Sequence, residues 1–374
     1  MTMSRNDGTV RRRSATVRIG SVTIGGGRPV AIQSMASTDT RDVRATLAQI
    51  RRLQRAGCEI VRLAVPDRAA AAALKQIRAG TAVPLVADIH FDHRLALAAL
   101  DAGVDKLRIN PGNIGPIENV REVVKAAKVR KVPIRIGVNA GSLEKDILAR
   151  HGHPTAAGMV ESALRHARML ERLGFRGIVL SLKGSDVPMT IAACRLIAGK
   201  VPYPLHLGVT EAGTAFAGAV RSAVGIGTLL AEGIGDTIRV SLCGDPVREM
   251  EAAKLILQSL GLRSFGPTVI ACPTCGRCSI DVEKIARRVE AAVKGIGRPL
   301  KIAVMGCAVN GPGEAREADV GICGGRGRGA LIRRGKVVAT VRERELVPAL
   351  LREIAALSRG RRASPKNQNQ RTTG

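Results

Sequence analysis

The stretch DKLRINPGNIGPIENVREVVKAAKVRKVPIRIGVN, residues 105–139, holds two short β-branched runs separated by a helix-length segment. Each run carries one arginine between apolar neighbours, Arg108 in LRI and Arg135 in IRI. The same unit recurs on both sides. Strand-like runs stand at 29–35, 60–66, 84–90, 105–111, 133–139, 177–183, 204–211 and 237–242. Between them lie segments such as TLAQIRRLQRAG (46–57) and AAGMVESALRHARMLERLG (156–174), with apolar residues at helical spacing. Strands alternating with helices imply a parallel sheet, and eight such units predict a closed (β/α)8 TIM barrel. The preceding VRIGSVTIGGG (17–27) predicts a small hairpin at the base of that barrel.

The arginines sharpen the reading. Parallel strands are covered on both faces and are expected to be nearly continuous in apolar residues. Four runs are instead interrupted by Arg62, Arg108, Arg135 and Arg239, and Lys183 closes a fifth. Side chains alternate along a strand, so if the apolar neighbours face the helices, these cations face the barrel interior. Charged groups are rarely buried unpaired. Asp88 and Glu211, near strand ends, can neutralise part of this charge, and the remainder predicts a ligand with more than one negative charge, most simply a phosphate or diphosphate. Active sites of such barrels lie at the C-terminal strand ends. His90, Asn110, Asn139, Lys183, Glu211 and Ser241 fall there.

Composition narrows the class. Hydrophobic residues make up 45% of the 374, enough for a globular core. No apolar run approaches the roughly 20 residues of a membrane span, and the Arg-rich start lacks the apolar region of a secretory signal. Eight cysteines in a chain of this size then point to reduced thiols, held as ligands or buried, and to a cytoplasmic protein. Five arginines within residues 1–18 and five cations within 359–374 contribute to the net charge of +28. Such a surface suits anionic partners. Four Phe, one Tyr and no Trp leave almost no stacking platforms, which argues against nucleic acid. The expected organisation is a basic N-terminal segment (1–18), the barrel (19–261), a smaller α+β domain (262–358) and a disordered basic tail (359–374).

The second domain carries ACPTCGRC (271–278) and MGCAVNGPGE (305–314). A zinc knuckle needs two paired ligand sets, and here only Cys272 and Cys275 form a pair. The ferredoxin spacing begins but is not completed. A three-thiolate iron–sulfur cluster with a different fourth ligand fits better. Cys272 and Cys275 share one loop, Cys307 follows the strand-like KIAVMG, and turn chemistry in NGPG can fold Glu314 back. Oxygen is the poorer partner for cluster iron, so an iron held by Glu314 is the one a substrate oxygen can claim. On spacing alone, Cys278 remains an alternative third thiolate.

The segments VADIHFDHR, LRINPGNIG, PIRIGVNAGSLEKD, HLGVTEAG, EGIGDTIRVSL, CPTC and GCAVNGPGEA are long and specific. Across about residues 15–340 the chain resembles the 4-hydroxy-3-methylbut-2-enyl diphosphate synthases of the methylerythritol phosphate route. The resemblance implies a [4Fe–4S] cluster on Cys272, Cys275, Cys307 and Glu314, with Cys278 a bystander. It implies a cyclic diphosphate substrate, 2-C-methyl-D-erythritol 2,4-cyclodiphosphate, opened and reductively dehydroxylated to the allylic diphosphate. Arg62, Arg108, Arg135, Asn139, Lys183, Arg239 and Ser241 are then expected to hold the diphosphate, and Glu211, ahead of His90, to deliver a proton. Reduced flavodoxin is the implied donor, with ferredoxin the alternative. A homodimer is implied as well, one subunit's cluster covering the other's barrel. Cys58 and Cys194 read as core residues; Cys243 and Cys323 have no assigned role. Two rivals stand beside this reading: a barrel transferase acting on a diphosphate ester with structural zinc, and a basic nucleic-acid-binding protein.

Overall fold

The structure, a computed structural model, describes residues 11–359. The proposed tail from residue 360 and the first ten residues of the basic segment lie outside them. The chain divides into two compact units, with the division between Arg263 and Ser264.

In the first unit a hairpin of β1 (Val17–Ile19) and β2 (Val22–Ile24) precedes eight strands: β3 (Ala31–Met35), β4 (Ile60–Ala64), β5 (Leu85–Asp88), β6 (Lys106–Ile109), β7 (Ile134–Asn139), β8 (Ile178–Lys183), β9 (His206–Leu207) and β10 (Thr237–Ile238). They pair in parallel in the order β8-β7-β6-β5-β4-β3-β10-β9. A bridge from Leu180 to Leu205 closes the ring, with Leu180 N donating to Pro204 O at 3.0 Å. The expected barrel is therefore present. Around it lie α1 (Val43–Arg55), α2 (Arg68–Ala79), α3 (His93–Asp101), α4 (Ile117–Arg130), α5 (Lys145–His151), α6 (Ala156–Arg172), α7 (Val187–Ala198), α8 (Ala215–Ala231) and α9 (Val247–Ser259).

Local chemistry sets the helix starts. Asp42, Asp67 and Asp186 each accept a backbone N–H three residues on, from Ala45, Ala70 and Met189 at 2.9, 2.8 and 2.7 Å. Such caps satisfy amide donors that the first helical turn leaves without a partner. The hairpin packs Val17, Ile19 and Ile24 against Ala31, Ile60, Val86 and Val179, so it plugs the barrel's N-terminal end. Arg12, within the basic segment, donates to Ala198 O at 2.8 Å, at the C-terminus of α7, and to Tyr203 O at 3.1 Å. A cation there is favoured by the carbonyls that a helix end leaves exposed.

β9 and β10 are shorter than the runs 204–211 and 237–242 led us to expect. Arg239 N still donates to Leu207 O at 2.9 Å. Beyond that the backbones press together at Gly208, where an added Cβ would stand 2.6 Å from Arg239 O.

The second unit is a mixed sheet ordered β11 (Thr268–Ala271), β12 (Lys301–Met305), β13 (Val320–Gly324), β14 (Arg328–Arg333) and β15 (Lys336–Arg342). The first three run parallel and the last two antiparallel. Helices α10 (Val282–Val293) and α12 (Glu343–Arg359) pack on it around Ile302, Val304, Val320, Ile322, Leu346 and Leu350; a short turn, α11 (Gly311–Glu314), follows β12.

Candidate active site

The alternation read from the strands puts the cations inside. Val61, Leu63, Leu107, Ile109, Ile134, Ile136, Ile238 and Val240 are fully buried on the helix side. Arg62, Arg108, Arg135, Asn139, Lys183, Arg239 and Ser241 line a single cavity of about 200 Å3, with Asp88, His90, Ser181 and Thr210. Two glycines make room for them. An added Cβ at Gly137 would lie 2.5 Å from Arg108 Nε, and one at Gly208 would lie 2.5 Å from Lys183 Nζ.

Asp88 is the one carboxylate among these lining residues. Its Oδ1 is 3.2 Å from Arg108 Nη1, and its Oδ2 is 3.3 Å from His90 Nε2 and 3.8 Å from Arg62 Nε. Burial alone would raise this carboxyl, but Arg62, His90 and Arg108 together hold it well below the ordinary range. Behind the wall, Glu249 on α9 pairs with Arg239 at 3.3 Å and accepts from Ser34 Oγ at 2.9 Å. Arg135 is 1% exposed and has neither acid. Its Nε and Nη1 have no hydrogen-bond partner among the described residues, nor do Nε of Arg108 and Nε of Arg239.

Burial, offset in part by Asp88 and deepened by Arg239 and Arg108, brings Arg62 down to about 10. Burial and the neighbouring arginines press Arg135 and Lys183 much further below their usual values. Guanidiniums stay charged regardless. The cavity is thus a set of buried donors with excess positive charge, and what completes it is an oxygen-rich polyanion.

Sequence reasoning missed a tier beneath the cavity. Lys106, two residues before Arg108 and so on the same face of β6, is fully buried and, among the described residues, donates only to Gln33 Oε1 at 3.2 Å. His206, also fully buried, bonds through Nδ1 to Thr237 Oγ1 at 2.8 Å, while its Nε2 has no partner among the described residues. Burial, with Lys183, Arg135 and Lys106 nearby, pushes this imidazole well below its usual value. The period-two alternation could have found Lys106 and Ser181; nothing in a helical pattern marks Glu249.

Glu211 does not line the cavity: it is exposed, beside the lining residue Thr210, and takes a left-handed backbone with φ of 54°. Lys131 and Arg334, the other described non-glycine residues with positive φ, end a helix and turn a hairpin. Glu211 stands in the loop that follows β9.

In the second unit, Cys272 follows β11, Cys275 is exposed in the next loop, Cys307 follows β12 and exposed Glu314 ends α11. Among the described residues, no three His, Cys, Asp or Glu side chains converge as a single metal ion requires. A cluster of four irons takes its ligands at separate corners, so its donors need not converge on one point. The donor chemistry suits such a group. Cys272 Sγ accepts Gly306 N at 3.1 Å. The backbone amides of Asn310 and Val309 hold the Cys307 thiol below its usual value, against a small opposing effect of burial. Cys323, by contrast, is buried and pushed up to about 12 by that burial, with Cys307 and Cys272 adding to it. Cys278 Sγ crowds Gly306, where an added Cβ would stand 2.4 Å away.

Fold and site define a barrel enzyme with a cation-lined cavity, joined to a domain that bears free cysteines at the ends of its parallel strands. Residues 14–254 match the GcpE TIM-barrel domain and residues 268–356 the GcpE protein C-terminal domain. The chain belongs to the GcpE family. It is 57% identical over 345 residues to the 4-hydroxy-3-methylbut-2-en-1-yl diphosphate synthase (flavodoxin) of Geobacter sulfurreducens, covering 92% of this chain and 98% of that one. The proteins of the same name from Geobacillus thermodenitrificans and Nitratidesulfovibrio vulgaris are each 58% identical, covering 93% and 96% of this chain and 93% of each relative. Among solved structures, Yersinia pestis dihydropteroate synthase is similar at 13% identity and TM-score 0.48, over 66% of this chain and 98% of its own. A likeness of that level says nothing about activity.

Proposed function

We propose that this chain carries out the two-electron reductive ring opening and dehydroxylation of 2-C-methyl-D-erythritol 2,4-cyclodiphosphate, giving (E)-4-hydroxy-3-methylbut-2-enyl diphosphate and water. One observation carries the reading beyond family membership. The cavity presents buried guanidinium donors without partners, on Arg108, Arg135 and Arg239, and a cyclic diphosphate supplies the acceptors they lack.

In this reading Arg62, Arg108, Arg135, Lys183 and Arg239, with Asn139 and Ser241, grip the diphosphate. Guanidinium–phosphate bonds fix its orientation, and their charge stabilises the phosphate oxygen released when the ring C–O bond breaks. Asp88 keeps Arg62 and Arg108 pointed inward. With the released phosphate oxygen left anionic, the balance requires two electrons and one proton, and one oxygen leaves the carbon skeleton as water. Glu211 is assigned the proton for that leaving hydroxyl, in preference to His90, which hydrogen-bonds Asp88. Cys272, Cys275, Cys307 and Glu314 would hold a [4Fe–4S] cluster, which supplies one-electron steps and a Lewis-acidic iron when bound. Cys323 and Cys278 are left out of that ligand set.

Reduced flavodoxin is assigned as donor because the relatives are flavodoxin-type synthases by name. Among the described residues no helix is long and apolar enough to cross a membrane. A cytoplasmic homodimer, in which a second copy brings its cluster to this barrel, completes the proposal.

The test is an anaerobic assay of reconstituted protein with the cyclic diphosphate and a chemical reductant. The allylic diphosphate should appear, and the protein should bind iron and sulfide with visible absorption. Colourless protein that binds zinc, inert toward the ester, would favour the transferase reading instead.

A further inference from the structure

We propose that a basic groove at the thiol end of the second unit's sheet is the docking surface for an acidic electron-carrier protein. The inference rests on the reductive function proposed above. Because β11, β12 and β13 run parallel, their C-terminal ends lie together and carry Cys272, Gly306–Cys307 and Gly324. Gly324 meets Ile280 and the Gly306 carbonyl there, since an added Cβ would be 2.7 and 2.8 Å from them. The next residue along, Asp281, opens a groove of about 620 Å3. Gly327 and Arg342, in the groove's lining, lie at the same end of the sheet as Cys272 and Cys307, so a carrier seated there is on the thiol side of the unit.

The groove's charge fits such a partner. One wall is the first two turns of α10, with Lys284 and Arg288; the other is the β15–α12 junction, with Arg342 and Arg344. All four are exposed. Of the two acids in the lining, Asp281 is engaged in capping α10, accepting Lys284 N at 3.0 Å. Arg342 is paired with Glu345 at 3.0 Å, while Lys284, Arg288 and Arg344 form no ion pair among the described residues. Half-buried Ile285 and buried Val347 give the groove an apolar floor. Complementary charge of this kind steers encounter and sets register, and its effect falls as salt rises. No aromatic side chain lines the groove, which disfavours single-stranded nucleic acid as its occupant.

The test compares reconstituted wild type with Lys284→Gln/Arg288→Gln and with Arg344→Gln, driven either by reduced flavodoxin or by a small chemical reductant. The KM for flavodoxin should rise about tenfold and lose most of its salt dependence, while turnover with the chemical reductant stays within about twofold. An unchanged flavodoxin KM overturns the proposal. So does an equal loss with both reductants, which would place these residues in support of the domain itself. Loss of RNA retention with an unchanged donor KM would assign the surface to nucleic acid and overturn it too. Wild type inert with both reductants would instead sink the reductive function.

Discussion

Arg108 and Arg135 are direct cross-strand partners: they share a register position on β6 and β7, and both point into the cavity. Like charges placed opposite each other destabilise a sheet. Asp88 relieves Arg108 at 3.2 Å, whereas Arg135 keeps two donors unbonded. Arg135→Met should therefore stabilise the ligand-free protein by about 1–4 kcal/mol, read as a higher melting midpoint. Pyrophosphate, which stabilises wild type by binding the folded state, should lose most of that effect in the variant. A lower midpoint would mean that the guanidinium supports the fold.

Asp88 gives the cavity a pH signature. Its folded value is depressed, so the unfolded chain binds more protons and stability rises with pH. Its contribution is complete above the unfolded carboxylate value of about 3.9 and is lost as pH falls through the folded value. Asp88→Asn should cost about 3–5 kcal/mol at neutral pH, because Arg62 and Arg108 lose their acid. The wild-type–variant difference in urea stability should narrow as the pH is lowered below about 4. A constant difference across that window would remove Asp88 from the acid transition.

Lys106 behaves in the opposite sense from a salt-bridged lysine. Burial, with Arg135 and Arg62 nearby, lowers its folded value, so the folded state holds the lysine's proton less tightly than the unfolded chain and the residue costs stability. Lys106→Met should raise the melting midpoint, and the gain should shrink as pH approaches the ordinary lysine value of about 10.4. It should also weaken pyrophosphate binding, since a cation beneath the anion is gone. If binding is unaltered, Lys106 lies outside the electrostatics of the site.

Glu211 holds a left-handed backbone that a non-glycine residue sustains at a cost of about 1–3 kcal/mol. Glu211→Gly should relieve that strain and gain about 1 kcal/mol, while Glu211→Gln keeps the shape and removes the acid. Both are expected to cut kcat by at least about a hundredfold with KM little changed, the mark of a proton donor. If Glu211→Gln turns over normally, the proton comes from elsewhere, and His90 is next.

Much of the barrel was legible because strand periodicity is local. Arg62, Arg108, Arg135 and Arg239 announced their direction through the apolar residues beside them, and the cavity holds all four. Lys106 and Ser181 obeyed the same period and were passed over. Glu249 and Gly137 could not be read, because their importance comes from what another element brings against them. Glu211 was placed at the correct strand end, but its exposure and its φ depend on how the loop closes.

By itself, the sequence determined that eight strands would close around inward-pointing cations, since alternation and burial act residue by residue along the chain. It also supplied thiols whose spacing admits a cluster. Only the tertiary structure decided which of those charges found an acid. Asp88 and Glu249 reach Arg62, Arg108 and Arg239, and Arg135 is left with unbonded donors. The physical reason is distance: Coulomb and hydrogen-bond energies depend on separation in space, and chain order does not encode it.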